Sequence, residues 1–499
     1  MLRKLLIYFG LLIVLGAGFW VRLNGALTNS FAFTYDVGRD LLEAAKIVRE
    51  HNLILIGQTT GLPGLFYGPW WHYILSIPFI LSNGNPQGID LFFVLLGAIT
   101  FLLGYVFGKR LSGPFLGIIL VSLIAVSPYM IFLSSQIWNP NIAPFFIILL
   151  LLILKKIFDK GFVKNRALLL ALGLLLGLLI DTEIIFGALF FVGIVLSFVL
   201  IFRRKILNWN LLYVALGILL ILSPRILFEF RHNFIMTRTI FANLGIPSSV
   251  GLLIPTIKII FNRVEFFNNL FSETITHGNK IISLVIFVFV LAINIIGFSK
   301  ADKVEKMFLK TITVIFLVFF LGLTFFSGDI FEHYVVGLPL LYILMVGMGI
   351  NFLGKYILNK KYAVIVLLFL LYLNINPIDF VSNLGKPLWE GNAAVYRNQV
   401  AVIDYIYNDA KGENFKYIAY TPPVYDYTYR YLFSWYGKNK YGYVPIETNR
   451  KLFYVILEPD YEMPSRLKNW LKYREGDGTI QEEKIIKGGI IVQTRILKQ

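Results

Sequence analysis

The chain has 499 residues, of which 57% are hydrophobic, 16% aromatic and only 15% charged. This composition lies far from the usage of soluble globular domains and predicts a membrane protein. The formal net charge of +17 is typical of Lys and Arg retained in cytoplasmic loops, and no compact basic face indicates nucleic-acid binding. The lack of cysteine excludes disulfides, thiolate metal sites and a cysteine nucleophile.

Long apolar runs predict a polytopic all-α membrane protein with about eleven transmembrane helices. No small-residue cleavage site follows the first run, so we interpret it as a signal anchor and first span. The short piece Trp70 to Leu81 contains Pro78 and is predicted to be juxtamembrane or re-entrant. The long runs begin near Leu5, Ile89, Pro114, Asn141, Ala167, Ile184, Leu211, Ile281, Thr311, Val335 and Tyr362.

Basic clusters set the predicted orientation in the plasma membrane. One alternation of inner and outer loops places all of them in the cytoplasm, as the positive-inside rule requires. In this arrangement the N-terminus is inside and the C-terminal domain is outside. Acidic residues then gather on the outer side. The clusters are Arg3-Lys4, Lys109-Arg110, 155–166, 203–205, 300–310 and 355–361.

The predicted organisation is a transmembrane module, 1–377, followed by an extracytoplasmic domain, 378–499. Within the module, 24–88 and 224–280 are large outer loops. The last segment is polar and nearly balanced in charge, which predicts a small α/β or α+β domain. Its strand-like runs are Tyr417 to Tyr420, Leu452 to Leu457 and Ile485 to Thr494, and its helical run is Ala394 to Asn408.

The first outer loop contains the strongest candidate for chemistry. Apolar Val37, Leu41, Ala45 and Val48 recur at helical spacing, which predicts an amphipathic helix on the membrane surface. Asp36 is the predicted N-cap, where the helix dipole favours an ionised carboxylate that can act as a general base. Alternatively, Asp36 only caps this helix, and the polar residues after it form a solvated face.

Two arginines occur where a span emerges on the outer side. Arg225 and Arg231 are candidates for a clamp on a lipid phosphate, because the guanidinium fork matches phosphate oxygens. Snorkelling arginines at a helix end are the alternative. Glu229 is expected to pair with one of them.

Further polar residues lie at predicted outer turns. Asp181 and Glu183 occupy the turn of a membrane hairpin, where carboxylates are expensive enough to indicate function, unless the turn reaches water. Aromatic belts and structural histidines are the alternative for the remaining turns. Those turns contain Asn139, His232, His333, Tyr334 and the aromatic group Tyr67, Trp70, Trp71, His72 and Tyr73.

The order of three motifs resembles the GT-C type membrane glycosyltransferases, in particular the protein mannosyltransferase and aminoarabinose transferase group and its bacterial relatives. The resemblance covers most of the transmembrane module. The motifs are Tyr35-Asp36-Val37-Gly38-Arg39-Asp40 after the first span, Gly68-Pro69-Trp70-Trp71-His72-Tyr73-Ile74-Leu75, and Ala125-Val126-Ser127-Pro128 before an outer turn.

The resemblance implies transfer of a sugar from a polyprenyl-phosphate donor, with inversion, to a hydroxyl on a protein, lipid or glycan at the outer face. Asp36 matches the first-loop acid that is proposed to deprotonate the acceptor. Many members carry two adjacent acids there, whereas Val37 follows Asp36, and Asp40 is a substitute one turn later. No cofactor is certain, and a divalent metal stays open. The substrate-binding candidates are Arg39, Asp40, His72, Asn139, Asp181, Glu183, Arg225, Glu229, Arg231, His232, His333 and Tyr334.

Two other classes of protein remain as alternatives. A lipid or polysaccharide flippase should need polar groups through the whole bilayer depth, whereas here they gather at one face. A non-catalytic scaffold of envelope assembly would tolerate alanine at Asp36 and at both arginines. The sequence contains no Walker loop and no GxGxxG motif after a strand, so a soluble nucleotide donor is unsupported.

Overall fold

The protein is a mainly helical, multi-pass membrane protein. The computed structural model describes residues 2–161, 165–203, 208–243, 255–326, 328–375, 391–446 and 452–496. The helices before residue 376 are α1 (Leu2–Thr28), α2 (Tyr35–Glu50), α3 (Trp70–Leu81), α4 (Pro86–Ser112), α5 (Pro114–Val126), α6 (Pro128–Ser134), α7 (Ala143–Lys160), α8 (Arg166–Thr182), α9 (Ile184–Phe202), α10 (Leu211–Arg231), α11 (Ile235–Asn243), α12 (Ile257–Ile275), α13 (Lys280–Lys300), α14 (Lys303–Phe325), α15 (Leu338–Phe352) and α16 (Lys360–Asn374).

The structure has fewer helices of membrane-spanning length than the eleven spans predicted from the apolar runs. In the described ranges, eight helices are long and apolar enough to cross a membrane, or nine if α5 and α6 form one bent span. The two other predicted spans are helices α8 and α16, which have only 17 and 15 residues. Helix α3 has 12 residues and is too short to cross, in line with its predicted re-entrant or juxtamembrane position.

A buried arginine stabilises the bend between α5 and α6. The two helices meet at 65°, because Pro128 has no N–H group with which to continue the helix. The carbonyls before the break therefore need other donors. Arg22 of α1, 1% exposed, donates to the carbonyl oxygens of Ala125 at 2.5 Å and Ile124 at 3.0 Å, and to the hydroxyl of Ser134 at 2.7 Å.

Helix α2 forms where the periodicity predicts it, but two details of the prediction are wrong. The N-cap is Thr34, which has extended backbone angles, and Asp36 already lies in the first helical turn. Its carboxylate binds a side chain instead of capping the backbone. The helix also does not lie freely on a surface, because Val37, Gly38 and Leu41 are buried against other parts of the protein.

The C-terminal part is a small α+β unit, as predicted. Its sheet has the strand order β1-β2-β4-β3, in which β1 and β2 are parallel and β4 runs antiparallel to both neighbours. The strands are β1 (Lys416–Tyr420), β2 (Leu452–Leu457), β3 (Thr479–Ile485) and β4 (Ile491–Ile496), and the helices are α17 (Tyr396–Ala410), α18 (Tyr427–Leu432), α19 (Lys438–Tyr441) and α20 (Pro464–Tyr473).

Two boundaries of this unit need comment. The single strand predicted over Ile485 to Thr494 is wrong, because the chain turns between β3 and β4. Gly488 and Gly489 there have φ of 76° and 73°, a conformation that glycine adopts at little cost. The predicted domain boundary after residue 377 falls outside the described residues.

The C-terminal unit and the first outer loop share one hydrophobic core. Phe33 donates its N–H to the carbonyl of Ala394 at 2.8 Å, and Tyr396 donates to the carbonyl of Phe31 at 3.1 Å. Helix α18 lies directly on α2. The shared core contains Phe31, Phe33, Val37, Leu41, Ala44, Trp71, Leu75, Phe79, Tyr396, Val402, Ile403, Tyr429, Leu432 and Tyr454.

The contact of α2 with α18 leaves no room for a side chain at Gly38. A methyl group there would lie 2.5 Å from the backbone nitrogen of Thr428. We expect Gly38→Ala to lower the free energy of unfolding by about 1–3 kcal/mol, because the backbones must separate. Thermal unfolding of the solubilised chain measures this loss. Gly16→Ala is the matched helical control, since a methyl group there would meet nothing within 4 Å; equal stability of the two variants would contradict the close approach.

Candidate functional site

Asp36 occupies the first turn of α2 and is partly open to solvent. Its carboxylate lies 2.7 Å from Nη1 of Arg39, and 21% of its side chain is exposed. Tyr35, the residue before Asp36, begins the helix. Burial raises the pKa of Asp36 above its ordinary value, and Asp40 adds to this rise, although the Arg39 guanidinium opposes it. A carboxylate with a raised pKa is a better proton acceptor than an ordinary one.

Asp40, one turn later, is buried and fully engaged. Arg39 donates from Nε to its carboxylate at 2.8 Å, and Trp71 donates from Nε1 at 2.7 Å. His72 Nε2 lies 3.5 Å from the same carboxylate. Burial alone would raise the pKa of Asp40, but the charges and hydrogen bonds of these neighbours hold it below its usual value. Asp40 thus joins α2 to α3 as a permanent anion.

Asp181, at the end of α8, holds the turn that precedes α3. Its carboxylate accepts the N–H of Trp70 at 3.0 Å, and its carbonyl accepts the N–H of Gly68 at 3.0 Å. Nε of Arg225 lies 3.4 Å from the other carboxylate oxygen, and Asp181 is fully buried. A methyl group at Gly68 would overlap this carboxylate at 1.5 Å. The turn and the hairpin therefore fit together only with glycine at this position.

Glu183, which follows α8, connects the hairpin to the first outer loop. It is 1% exposed, and the hydroxyl of Tyr67 donates to its carboxylate at 3.1 Å. The pKa of Tyr67 is raised by burial and by the charge of Glu183, with smaller contributions from Tyr334 and Asp36. Tyr67 therefore ties the first loop to the hairpin carboxylate. The alternative that the hairpin turn reaches water does not hold, since both of its carboxylates are buried.

Two more predicted outer turns meet this hairpin. Asn139 donates from its side chain to the carbonyl of Thr182 at 2.6 Å. The ring of His333 lies 5.3 Å from that of Trp138 and stacks on Phe331 at 5.5 Å. The structure thus brings together the polar turns that the sequence places on the outer side.

The end of α10 separates the two arginines that were predicted to act together. Arg225 is buried beside the hairpin, whereas Arg231 is exposed, because six residues rotate the two side chains to different faces of the helix. Glu229 pairs with neither arginine; it accepts backbone N–H groups at the start of α11 at 2.8 and 2.9 Å. His232 is exposed and stacks on Phe228 at 4.0 Å.

Two aromatic residues contribute more than the sequence indicated. Tyr67 and Trp71 each donate a hydrogen bond to an acidic residue of the site. Trp71 is fully buried, so an aromatic belt at the membrane interface does not explain it. In the described part of the chain, no three His, Asp or Glu side chains come together as a metal site requires, and metal dependence stays untested.

The Arg225 and Asp181 pair generates a stability prediction. Arg225→Met leaves a buried carboxylate without its cation, which we expect to cost about 3–5 kcal/mol. The double variant Asp181→Asn with Arg225→Met removes both charges and should recover most of that loss. Thermal unfolding of the single and double variants measures the coupling, and purely additive losses would contradict a direct interaction.

Solved structures of two other proteins are similar to this chain. ArnT from Cupriavidus metallidurans, bound to undecaprenyl phosphate, is 13% identical with a TM-score of 0.57, and the alignment covers 98% of this chain and 97% of that chain. Its apo state gives 13% identity and a TM-score of 0.58, covering 99% and 98%. The Archaeoglobus fulgidus oligosaccharyltransferase gives 12% identity and a TM-score of 0.47, covering 79% and 55%.

The likeness is one of fold. No protein-family model and no curated protein matches the sequence. The alignment with ArnT extends over nearly the full length of both chains, including the C-terminal unit. The chain therefore has the fold of the GT-C type membrane glycosyltransferases, as its sequence motifs predicted.

Proposed function

We propose that this protein transfers a sugar from a polyprenyl-phosphate donor to an acceptor hydroxyl on the extracytoplasmic face, with inversion. The observation that carries the proposal is the environment of Asp36. It is a partly exposed carboxylate with a raised pKa, at the edge of a cluster of polar groups from several spans. The ArnT fold, and the undecaprenyl phosphate bound in one ArnT structure, support a lipid-linked donor.

The chemistry requires a base and a stabilised leaving group. The acceptor oxygen forms a bond to the anomeric carbon while the bond from that carbon to the phosphate oxygen breaks, and its electrons leave with the lipid phosphate. Asp36 takes the acceptor's proton. Arg225, at the outer end of a span, is the cation that we assign to the departing phosphate. Arg231, exposed one turn and a half further on, is a second candidate for that phosphate.

The first prediction concerns the base. Asp36→Asn keeps the shape of the side chain but removes its ability to accept a proton, so we expect transfer to fall by roughly 10²–10⁴-fold. Membranes with equal amounts of each variant are tested with several radiolabelled polyprenyl-phosphate sugars. Glu43→Gln is the matched control on the same helix, because Glu43 pairs only at the surface with Lys46 at 3.0 Å.

Each outcome of that assay has a clear meaning. Loss of transfer in Asp36→Asn alone supports the proposed mechanism. Equal transfer by wild type and Asp36→Asn would remove Asp36 from the reaction. No transfer from any donor, with a folded wild-type chain, would favour a flippase or a scaffold of envelope assembly.

The second prediction concerns pH. Asp36 accepts a proton only when ionised, so kcat/KM should rise with pH through the raised pKa of Asp36 and then level off. Arg39 lowers the pKa of Asp36, and Arg39→Gln should therefore move this acid limb to higher pH. Profiles between about pH 4 and pH 8 measure the shift. An acid limb at the same pH in both proteins would contradict the assignment of this limb to Asp36.

A further inference from the structure

Three tyrosines from two distant parts of the chain form a continuous aromatic surface beside Asp36. The ring of Tyr35 lies 5.9 Å from that of Tyr425 at 31°, and Tyr425 stacks on Tyr427 at 5.7 Å and 12°. Tyr425 is 55% exposed. We call Tyr35, Tyr425 and Tyr427 the tyrosine platform.

The tyrosine platform has a fixed position relative to the candidate base. Tyr35 directly precedes Asp36 in the first turn of α2. Tyr427 begins α18, whose next residue, Thr428, packs against Gly38 of α2 without a gap. The platform is therefore attached to the base through the first turn of α2 on one side and through the contact of α18 with α2 on the other.

The platform lies on the side of Asp36 that faces the C-terminal unit. Tyr67, Glu183 and Arg225 belong to the loop before α3 and to the spans. A lipid-linked donor enters from the bilayer, and an inverting transfer needs the acceptor opposite the leaving group. We therefore place the acceptor on the side with the tyrosines. This placement rests on the proposed function.

We propose that the tyrosine platform binds a sugar ring of a carbohydrate acceptor and that Tyr425 determines this specificity. Exposed aromatic faces pack well on the apolar C–H face of a pyranose. The ion pair of Arg430 with Asp426, at 2.7 Å, borders the platform and offers charged groups to the ring hydroxyls. A stack of side chains offers no backbone partners to an extended peptide, which favours a glycan over a protein acceptor.

A binding experiment tests this inference without any donor. The full-length chain in nanodiscs is mixed with cellobiose, mannobiose or chitobiose, and saturation-transfer NMR detects the sugar protons that contact the protein. We expect binding of at least one of these sugars by wild type, a loss of about tenfold in affinity in Tyr425→Ala, and recovery in Tyr425→Trp. Tyr461→Ala is the matched control, since Tyr461 is an 81% exposed tyrosine of the same unit.

A kinetic experiment separates this inference from the proposed function. With an active donor, Tyr425→Ala should raise KM for the bound oligosaccharide about tenfold and so lower the ratio of transfer to the oligosaccharide over slow transfer to water. Asp36→Asn should abolish both reactions. Unchanged KM and binding in Tyr425→Ala, or transfer only to serine and threonine peptides, would overturn the inference and leave the proposed function intact. An equal loss of transfer to water would assign the platform to the donor sugar and also overturn it.

Discussion

The buried carboxylate of Asp40 fixes the geometry of the outer site. An ion without water is costly unless charged and polar groups surround it, and here Arg39, Trp71 and His72 do so. The contacts of Asp40 with Trp71 and His72 hold α2 and α3 in their relative position. Asp36 lies one turn earlier on α2, so the position of its carboxylate is set by the same arrangement. The same arrangement presents the turn before α3 to the hairpin between α8 and α9, so the rest of the cluster depends on it.

The cluster is assembled from segments that are far apart in the chain. The first outer loop supplies the candidate base, the hairpin supplies two buried carboxylates, and α10 supplies one buried arginine. The C-terminal unit covers the α2 side of the cluster with α18. Because α18 packs on α2 at Gly38, this unit is a structural part of the site and not an appended cover.

The sequence predicted features that depend on local pattern. Apolar length predicted the helices, periodicity predicted α2, and charge predicted that Asp36, Asp181 and His333 share one side. In the structure, the turns of Asn139 and His333 meet each other and the hairpin of Asp181. Contacts between distant segments leave no such pattern. Nothing near Arg22 indicates that it binds the carbonyls of Ala125, and the exposed loop of Tyr425 has no periodic signal. Both Arg225 and Arg231 lie on α10, and rotation along this helix points the two side chains to different faces.

The shared core of the first loop and the C-terminal unit has a consequence for biogenesis. Phe31 and Phe33 leave the ribosome early, whereas their partner Tyr396 is made after all the spans. At roughly 5–20 residues per second, about 20–70 s pass between the two events. During that interval the first loop exposes apolar surface that the C-terminal unit covers in the finished protein. We therefore expect the outer loop to mature last, and ribosomes that stop before the C-terminal unit to produce chains that quality-control proteases remove.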